Sequence, residues 1–173
     1  FSVANVAAKI SKLKNELVDV DTYARQANTA DPQEAVFLEI FRQYTRTLTA
    51  ANAFDFDDLI AQTVYLFRAF PHIAELYQRR FRHIMVDEYQ DTNHAQYSLI
   101  RELTRPTGAL PPASLTVVGD SDQSIYAFRG ADIRNIVEFE HDFPEAKVVL
   151  LEQNYRSTNA ILGGANSVIS NNR

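Results

Sequence analysis

The sequence predicts an α/β protein: an N-terminal helical subdomain followed by part of a parallel-sheet core. Three observations carry this. Up to about residue 80, apolar residues recur at helical spacing. Beyond residue 82, short apolar runs alternate with helical segments, the pattern of βαβ units around a buried parallel sheet. The first two of those runs end in acidic residues, at the strand ends where open α/β sheets bind their ligands.

Each element has a local reason. Ser2 is placed to cap a helix whose stripe runs through Val6, Ile10, Leu13 and Leu17. Asp31-Pro32-Gln33-Glu34 is a helix start: a capping Asp, Pro at the first helical position and Glu three residues after the cap. Val36, Phe37, Ile40, Phe41, Tyr44 and Leu48 then form one broad apolar face. Asp55-Phe56-Asp57-Asp58 opens a third helix, with Leu59, Thr63, Leu66 and Phe67 in line, and Pro71 ends it and starts a fourth that runs to about Arg80. The aromatics on these faces are read as helical core. The predicted strands are His83–Val86, Leu115–Val118 and Lys147–Leu151. The helices between and after them are predicted at about His94–Leu103, Ile133–Phe139 and Thr158–Ile169. Thr104–Ser114, with three Pro and one Gly, is a surface loop.

Composition narrows the function. The chain has 173 residues, 46% apolar and 23% charged, enough for a packed core and against wholesale disorder. No apolar run approaches the ~20 residues that span a bilayer. With no Cys there is neither a disulfide framework nor a thiolate metal site, which fits a reducing compartment. Residues 1–86 balance at 10 basic and 10 acidic side chains, whereas residues 87–173 hold 7 and 12 and so carry the whole net charge of -5. That is not the basic footprint of an autonomous nucleic-acid binder. The acidic half either solvates a face or gathers carboxylates around a cation. His83 and His94 have no partner at metal-ligand spacing, which argues against zinc. The chain opens on Phe1 rather than Met and closes in a polar stretch, so it is read as a piece of a longer protein.

The chemistry lies after the strands. An apolar strand delivering Asp87-Glu88 resembles a Walker B segment, in which the Asp helps to hold Mg²⁺ and the Glu activates an attacking water. Alone the pattern is weak, because strand ends often carry acids. Its context is specific. The full first block is Val86-Asp87-Glu88-Tyr89-Gln90-Asp91-Thr92-Asn93 with Gln96 following. The second is Val118-Gly119-Asp120-Ser121-Asp122-Gln123-Ser124-Ile125-Tyr126-Ala127-Phe128-Arg129-Gly130-Ala131-Asp132. The third is Leu151-Glu152-Gln153-Asn154-Tyr155-Arg156-Ser157.

In this order the blocks closely resemble motifs II, III and IV of the UvrD/Rep/PcrA family of superfamily 1 DNA helicases, and Asp55-Phe56-Asp57-Asp58-Leu59 matches the segment preceding motif II. The resemblance covers nearly the whole chain. It implies a RecA-like P-loop NTPase core, present here as an incomplete sheet. It implies a helical 1B-like subdomain over 1–80, a 1A-like partial core over 81–153, and motif IV with the first helix of a 2A-like domain over 154–173. By the same resemblance Asp87 is the Mg²⁺ carboxylate, Glu88 the catalytic base, and Gln123 the γ-phosphate sensor coupled to DNA. Arg156 is an arginine finger, and Tyr155 stacks on adenine. Tyr126, Phe128 and Arg129 lie along single-stranded DNA, while Tyr89, Gln90 and Asp91 support the Mg²⁺ site.

These roles suit the residue types. A planar, always-charged guanidinium matches the equatorial oxygens of a transferring phosphoryl group. An amide donates and accepts at once. Aromatic faces stack on any base, at ~1–3 kcal/mol per base. Structural alternatives remain: Tyr126 and Phe128 as core rings, Arg156 as a surface Arg at a helix entrance, Ser157 as a helix cap.

The implied function is ATP-dependent 3′→5′ movement of a cytoplasmic DNA-repair helicase on single-stranded DNA and at single-strand/duplex junctions, with Mg²⁺ and ATP, together with the remaining helicase domains of the same polypeptide and no membrane. The chain departs from the family at Phe128, where motif III usually has Trp. It also lacks a P-loop, Gly-x-x-x-x-Gly-Lys-Ser/Thr: none of Gly108, Gly119, Gly130, Gly163 and Gly164 precedes a Lys. The expectation is therefore an internal slice that is inactive alone. The rival reading is a non-catalytic scaffold or DNA-binding module that keeps the fold.

Overall fold

The computed structural model describes residues 2–108, 110–124, 131, 132, 134–137 and 139–171. It divides into two compact units, 1–136 and 137–173.

The first unit begins with five helices: α1 (Val3–Asn15), α2 (Val20–Gln26), α3 (Pro32–Ala50), α4 (Phe56–Ala69) and α5 (Pro71–Arg80). Their starts follow from local chemistry. The Ser2, Asp19 and Asp31 side chains accept hydrogen bonds from first-turn N–H groups of α1, α2 and α3. Asp55 and Asp58 form a reciprocal capping box at α4, the Asp58 N–H reaching Asp55 Oδ1 at 2.8 Å. Two departures from the sequence reading share one cause. Leu17 adopts a left-handed φ of 56°, which stops α1 at Asn15 instead of letting it run to Leu17. The turn brings Val18 and Val20 onto the core and makes room for α2, a short helix that the apolar spacing did not announce.

Ile10, Tyr23, Phe37, Leu38 and Phe41 form the buried cluster among α1, α2 and α3. Tyr23 meets Phe37 edge-on, with ring centroids 5.3 Å apart. Below it, α4 presents Ala61, Val64 and Phe67, α5 presents Ala74, and α6 (His94–Thr104) presents Ala95 and Ile100, all buried. The expected core reading holds for Ile10, Phe37, Phe41 and Phe67, whereas Val36, Ile40, Tyr44, Leu59 and Leu66, expected on the same faces, are exposed, because α4 turns Ala61 and Val64 rather than Leu59 and Leu66 toward its neighbours.

β1 (His83–Val86) and β2 (Ser114–Val117) pair in parallel, in register from His83 opposite Ser114 to Val86 opposite Val117. α6 joins them as the crossover, so the unit contains the βαβ arrangement the alternation predicted. Arg82 ties the loop after α6 to the sheet, donating to the carbonyls of Pro111 at 2.7 Å and Pro112 at 2.9 Å. Ile84, Val86, Leu115 and Val117 are half-buried on one face, while Met85 on the other is 81% exposed. The protein is thus α/β, helix-rich, with a small parallel sheet.

α7 (Arg134–Val137) lies within the helix predicted over Ile133–Phe139, whose residues 133 and 138 are outside the described residues, and α8 (Phe139–Asp142) begins at its last residue; α7 runs across the boundary between the units. In the second unit Phe139 packs on Phe143 with centroids 4.7 Å apart. The expected strand Lys147–Leu151 is not one: no residue of it pairs into a sheet among the described residues, and Val148, Val149, Leu150 and Leu151 are all exposed. An apolar run becomes a strand only where a neighbouring edge satisfies its N–H and C=O groups. α9 (Asn159–Ile169) closes the unit. Its N-cap position is Thr158 rather than Ser157.

Candidate active site

The carboxyl ends of β1 and β2 lie side by side. The Val118 N–H donates to the Val86 carbonyl at 2.8 Å, and the Tyr89 N–H returns to the Val118 carbonyl at 2.9 Å. Asp87 and Glu88 are held between these two bonds. Glu88 takes the left-handed conformation, φ 48° and ψ 46°. A non-glycine residue there carries ~1–2 kcal/mol of strain, and such strain persists where the surroundings over-determine it. The restraint is visible: Tyr89 and Gln90 follow in a short 3-10 turn over Tyr89–Asp91, and both are fully buried, Gln90 at 1% exposure. Thr92 Oγ1 donates to the Tyr89 carbonyl at 2.7 Å, and Asn93 with Gln96 caps α6. The buried turn is an anchor from which Asp87 and Glu88 project into solvent.

The second strand supplies the facing residues. After Val118, Gly119 and Asp120 lead into a 3-10 turn over Ser121–Gln123. Asp120 Oδ1 accepts the Asp122 N–H at 3.0 Å, and Asp120 Oδ2 accepts from Gln123 Nε2 at 2.8 Å. Gln90 joins the two loops: its Nε2 donates to Glu88 Oε2 at 2.7 Å and its Oε1 accepts the Asp120 N–H at 3.0 Å. Gly119 makes this possible, because a Cβ there would lie 2.7 Å from Gln90 Oε1 and 3.2 Å from the Tyr89 nitrogen. Asp132 and Asn135 fasten the same edge, both donating to the Thr92 carbonyl at 3.0 Å. Hydrogen bonds from Arg134 hold the Asp132 carboxyl below its ordinary value.

Of the residues singled out in the sequence, Asp87, Glu88 and Gln123 therefore share one end of one sheet. Tyr155 and Arg156 belong to the second unit and are exposed there, Tyr155 at 92%. Asn154 folds the turn that carries them: its Oδ1 accepts the N–H groups of Arg156 at 2.9 Å and Ser157 at 2.8 Å. Tyr126, Phe128 and Arg129 lie outside the described residues. Sequence reasoning gave Gln90 only a supporting part and placed Gly119-Asp120 at the second strand end without giving either residue a role. The available signals were a buried amide two residues after the Asp-Glu pair and a Gly-Asp step at the next strand end.

The donors suit a hard cation. Mg²⁺ is usually held by one or two carboxylates plus water and phosphate oxygens, not by an all-protein cage. Asp87 is an exposed carboxylate at a strand end, its Oδ1 oriented by the Glu88 N–H at 3.0 Å. No cluster of three or more His, Cys, Asp or Glu side chains placed to hold a metal occurs among the described residues. Nor is any described helix long and apolar enough to cross a membrane.

Fold and site together define an α/β protein with an acidic pair and an amide gathered at the carboxyl edge of adjacent parallel strands. The chain belongs to the UvrD/REP helicase N-terminal domain family, whose model matches residues 2–144. It is 55% identical over 175 residues to the ATP-dependent DNA helicase UvrD1 of Mycobacterium tuberculosis (strain ATCC 25618 / H37Rv), covering 99% of this chain and 23% of that protein. Against the ATP-dependent DNA helicase PcrA of Bacillus subtilis (strain 168) the identity is 48% over 172 residues, 99% of this chain and 22% of that protein. The chain thus spans less than a quarter of the length of these curated relatives.

Proposed function

We propose that this chain is the part of an ATP-dependent DNA helicase that carries the water-activating half of the nucleotide site. The observation that supports this best is the exposed Asp87-Glu88 pair at the end of β1, tied through Gln90 to the turn that bears Gln123. In this reading residues 1–80 form a 1B-like helical subdomain, 81–153 part of a RecA-like 1A core, and 154–173 the start of a 2A-like domain. The open Met85 face of the sheet and the exposed Val148–Leu151 run are surfaces that a complete parallel core would cover.

Each residue has a definite task. Asp87 would hold Mg²⁺, which when bound neutralises charge on the nucleotide phosphates. Glu88 accepts a proton from the attacking water. Gln123 bonds the γ-phosphate with one end of its amide and relays its presence with the other. Arg156 offers a planar fork to the developing charge, and Tyr155 provides a face for adenine. Tyr126, Phe128 and Arg129 contact single-stranded DNA, Phe128 replacing the usual Trp with a smaller ring that still stacks. The work done is 3′→5′ movement along DNA by a cytoplasmic enzyme, with the remaining domains in the same polypeptide.

The test compares the isolated 173-residue chain with the complete polypeptide in a steady-state ATPase assay with Mg²⁺ and saturating single-stranded DNA. The complete protein should show DNA-stimulated turnover and the isolated chain none above background, because it has no P-loop Lys or backbone nest for the β- and γ-phosphates. A complete protein without DNA-stimulated hydrolysis would establish the scaffold reading instead.

A further inference from the structure

We infer that Gln90 is a positioning residue that sets the Glu88 carboxylate and the Gln123-bearing turn as one unit. This rests on the reading of Glu88 as the base and Gln123 as the phosphate sensor. The geometry that carries it is continuous. Glu88 Oε2 receives Gln90 Nε2 at 2.7 Å, Gln90 Oε1 receives the Asp120 N–H at 3.0 Å, and Asp120 Oδ2 receives Gln123 Nε2 at 2.8 Å. A single buried amide thus spends its donor on one loop and its acceptor on the other. No shorter side chain spans both, and a carboxylate or an aliphatic chain offers at most one of the two bonds.

Burial makes the link stiff. Gln90 is 1% exposed, so its amide is held from the buried side, and its backbone is fixed in the 3-10 turn beside buried Tyr89. Gly119 completes the fit, since any Cβ at that position would intrude on Gln90 Oε1 at 2.7 Å. The left-handed backbone of Glu88 gives the carboxylate its direction, and Gln90 holds it there. A shift of the Gln123 turn therefore acts on the base through one amide. A small displacement of a reacting group of ~1 Å can cost about 10²-fold in rate.

The test is a kinetic cycle in the complete polypeptide, with Gln90→Met, Glu88→Gln and the double variant assayed for single-strand-stimulated ATP hydrolysis and nucleotide KM. Met keeps the length and lacks both hydrogen-bonding groups, and the two groups it frees lie on solvent-exposed residues that water can satisfy. Gln90→Met should lower kcat by about 10²-fold with KM for ATP changed less than about threefold, the signature of a contact that matters in the transition state. In the Glu88→Gln background it should cause no further loss, because Gln90 acts through the base. Gly119→Ala should reproduce the kcat defect without altering Gln90 itself, and melting temperatures show that the variants are folded.

If Gln90→Met leaves kcat unchanged while Glu88→Gln abolishes turnover, the positioning role is overturned and the base assignment stands. Losses that multiply in the double variant overturn the positioning role in the same way. If Glu88→Gln itself keeps turnover within a few-fold of the parent, the underlying reading fails and the inference falls with it.

Discussion

The two units of this protein solve burial differently. In the first, aromatic rings such as Phe37 and Phe41 vanish into a cluster built from three helices, and a parallel strand pair lies beyond them. In the second, no described side chain is fully buried, and Leu150, in the middle of an apolar run, is 75% exposed. Both have the apolar content of a core, but only the first contains the surfaces that close one. The contrast teaches that hydrophobic pattern specifies an element's preference, while its realisation depends on what lies opposite.

The residues proposed to act in catalysis are divided between the same two units. The largest effect is expected from the second unit. In the complete protein Arg156→Lys should reduce DNA-stimulated ATP turnover by about 10³-fold, because a single ammonium does not reproduce the planar fork of an arginine finger. A steady-state rate near that of the parent would make Arg156 a surface residue at the entrance to α9.

Next comes burial itself. In the isolated chain Phe41→Ala should destabilise by ~3–5 kcal/mol, whereas Leu150→Ala should change stability by less than ~0.5 kcal/mol. In the complete protein, if the Val148–Leu151 run is covered, Leu150→Ala should cost ~2–5 kcal/mol. Denaturant unfolding of both forms reads these values. A large loss for Leu150→Ala in the isolated chain would show that the run is already packed.

Phe128 gives a smaller effect, on binding rather than folding. Phe128→Ala in the complete protein should weaken single-stranded DNA binding by ~1–3 kcal/mol with unchanged melting, and Phe128→Trp should be tolerated. Destabilisation by both variants with normal DNA affinity would place the ring in the core.

The smallest concerns the polar network that joins α1, α3 and α4. Lys14 Nζ bonds Asp55 Oδ2 at 2.6 Å and Asp58 Oδ1 at 2.8 Å, and the Tyr44 hydroxyl donates to Asp55 Oδ2 at 2.7 Å. That hydrogen bond to a carboxylate, more than burial, pushes the Tyr44 pKa up to about 12 from 10.0. A raised folded-state value means stability that is complete below the unfolded pKa near 10.0 and declines as pH rises toward about 12. Tyr65, pushed up to about 12 mainly by burial, adds to the same window. Asp55 works in the opposite direction: burial raises its pKa, but bonds from Lys14 and Tyr44 outweigh that and hold it below 3.8. Its contribution is present above that value and lost on acidification through the lower folded-state value. Tyr44→Phe should shrink the alkaline loss in pH-dependent melting without removing it. An unchanged alkaline profile would contradict the network.

What the sequence disclosed and what it concealed follows the range of the interactions. The starts of α3 and α4 were legible because Asp31-Pro32 and the Asp55/Asp58 box act within one turn. β1 and α6 were legible from a run of four apolar-rich residues and a capping box at Asn93. The end of α1 was not, because Leu17 leaves the helix to place Val18 on the core, a tertiary gain that overrides its position on the stripe. The Lys147–Leu151 strand failed for the complementary reason, since pairing depends on an edge that the pattern does not name. In the site, Asp87 and Glu88 were legible as an acidic pair after an apolar strand, a weak pattern alone, and Gln123 only through the motif resemblance. The Gln90 bridge was not: it requires β1 and β2 to be neighbours in register, a fact about residues some thirty positions apart.

The central claim is that the left-handed Glu88 at the end of β1 is the residue that activates water. The measurement is ATP hydrolysis and nucleotide binding by the Glu88→Gln variant of the complete polypeptide, with saturating single-stranded DNA and Mg²⁺. The substitution keeps shape and removes the base. Turnover should fall by ~10²–10⁴-fold while nucleotide affinity stays within a few-fold of the parent. Turnover within a few-fold of the parent would contradict the claim and return Glu88 to the role of a charged strand end.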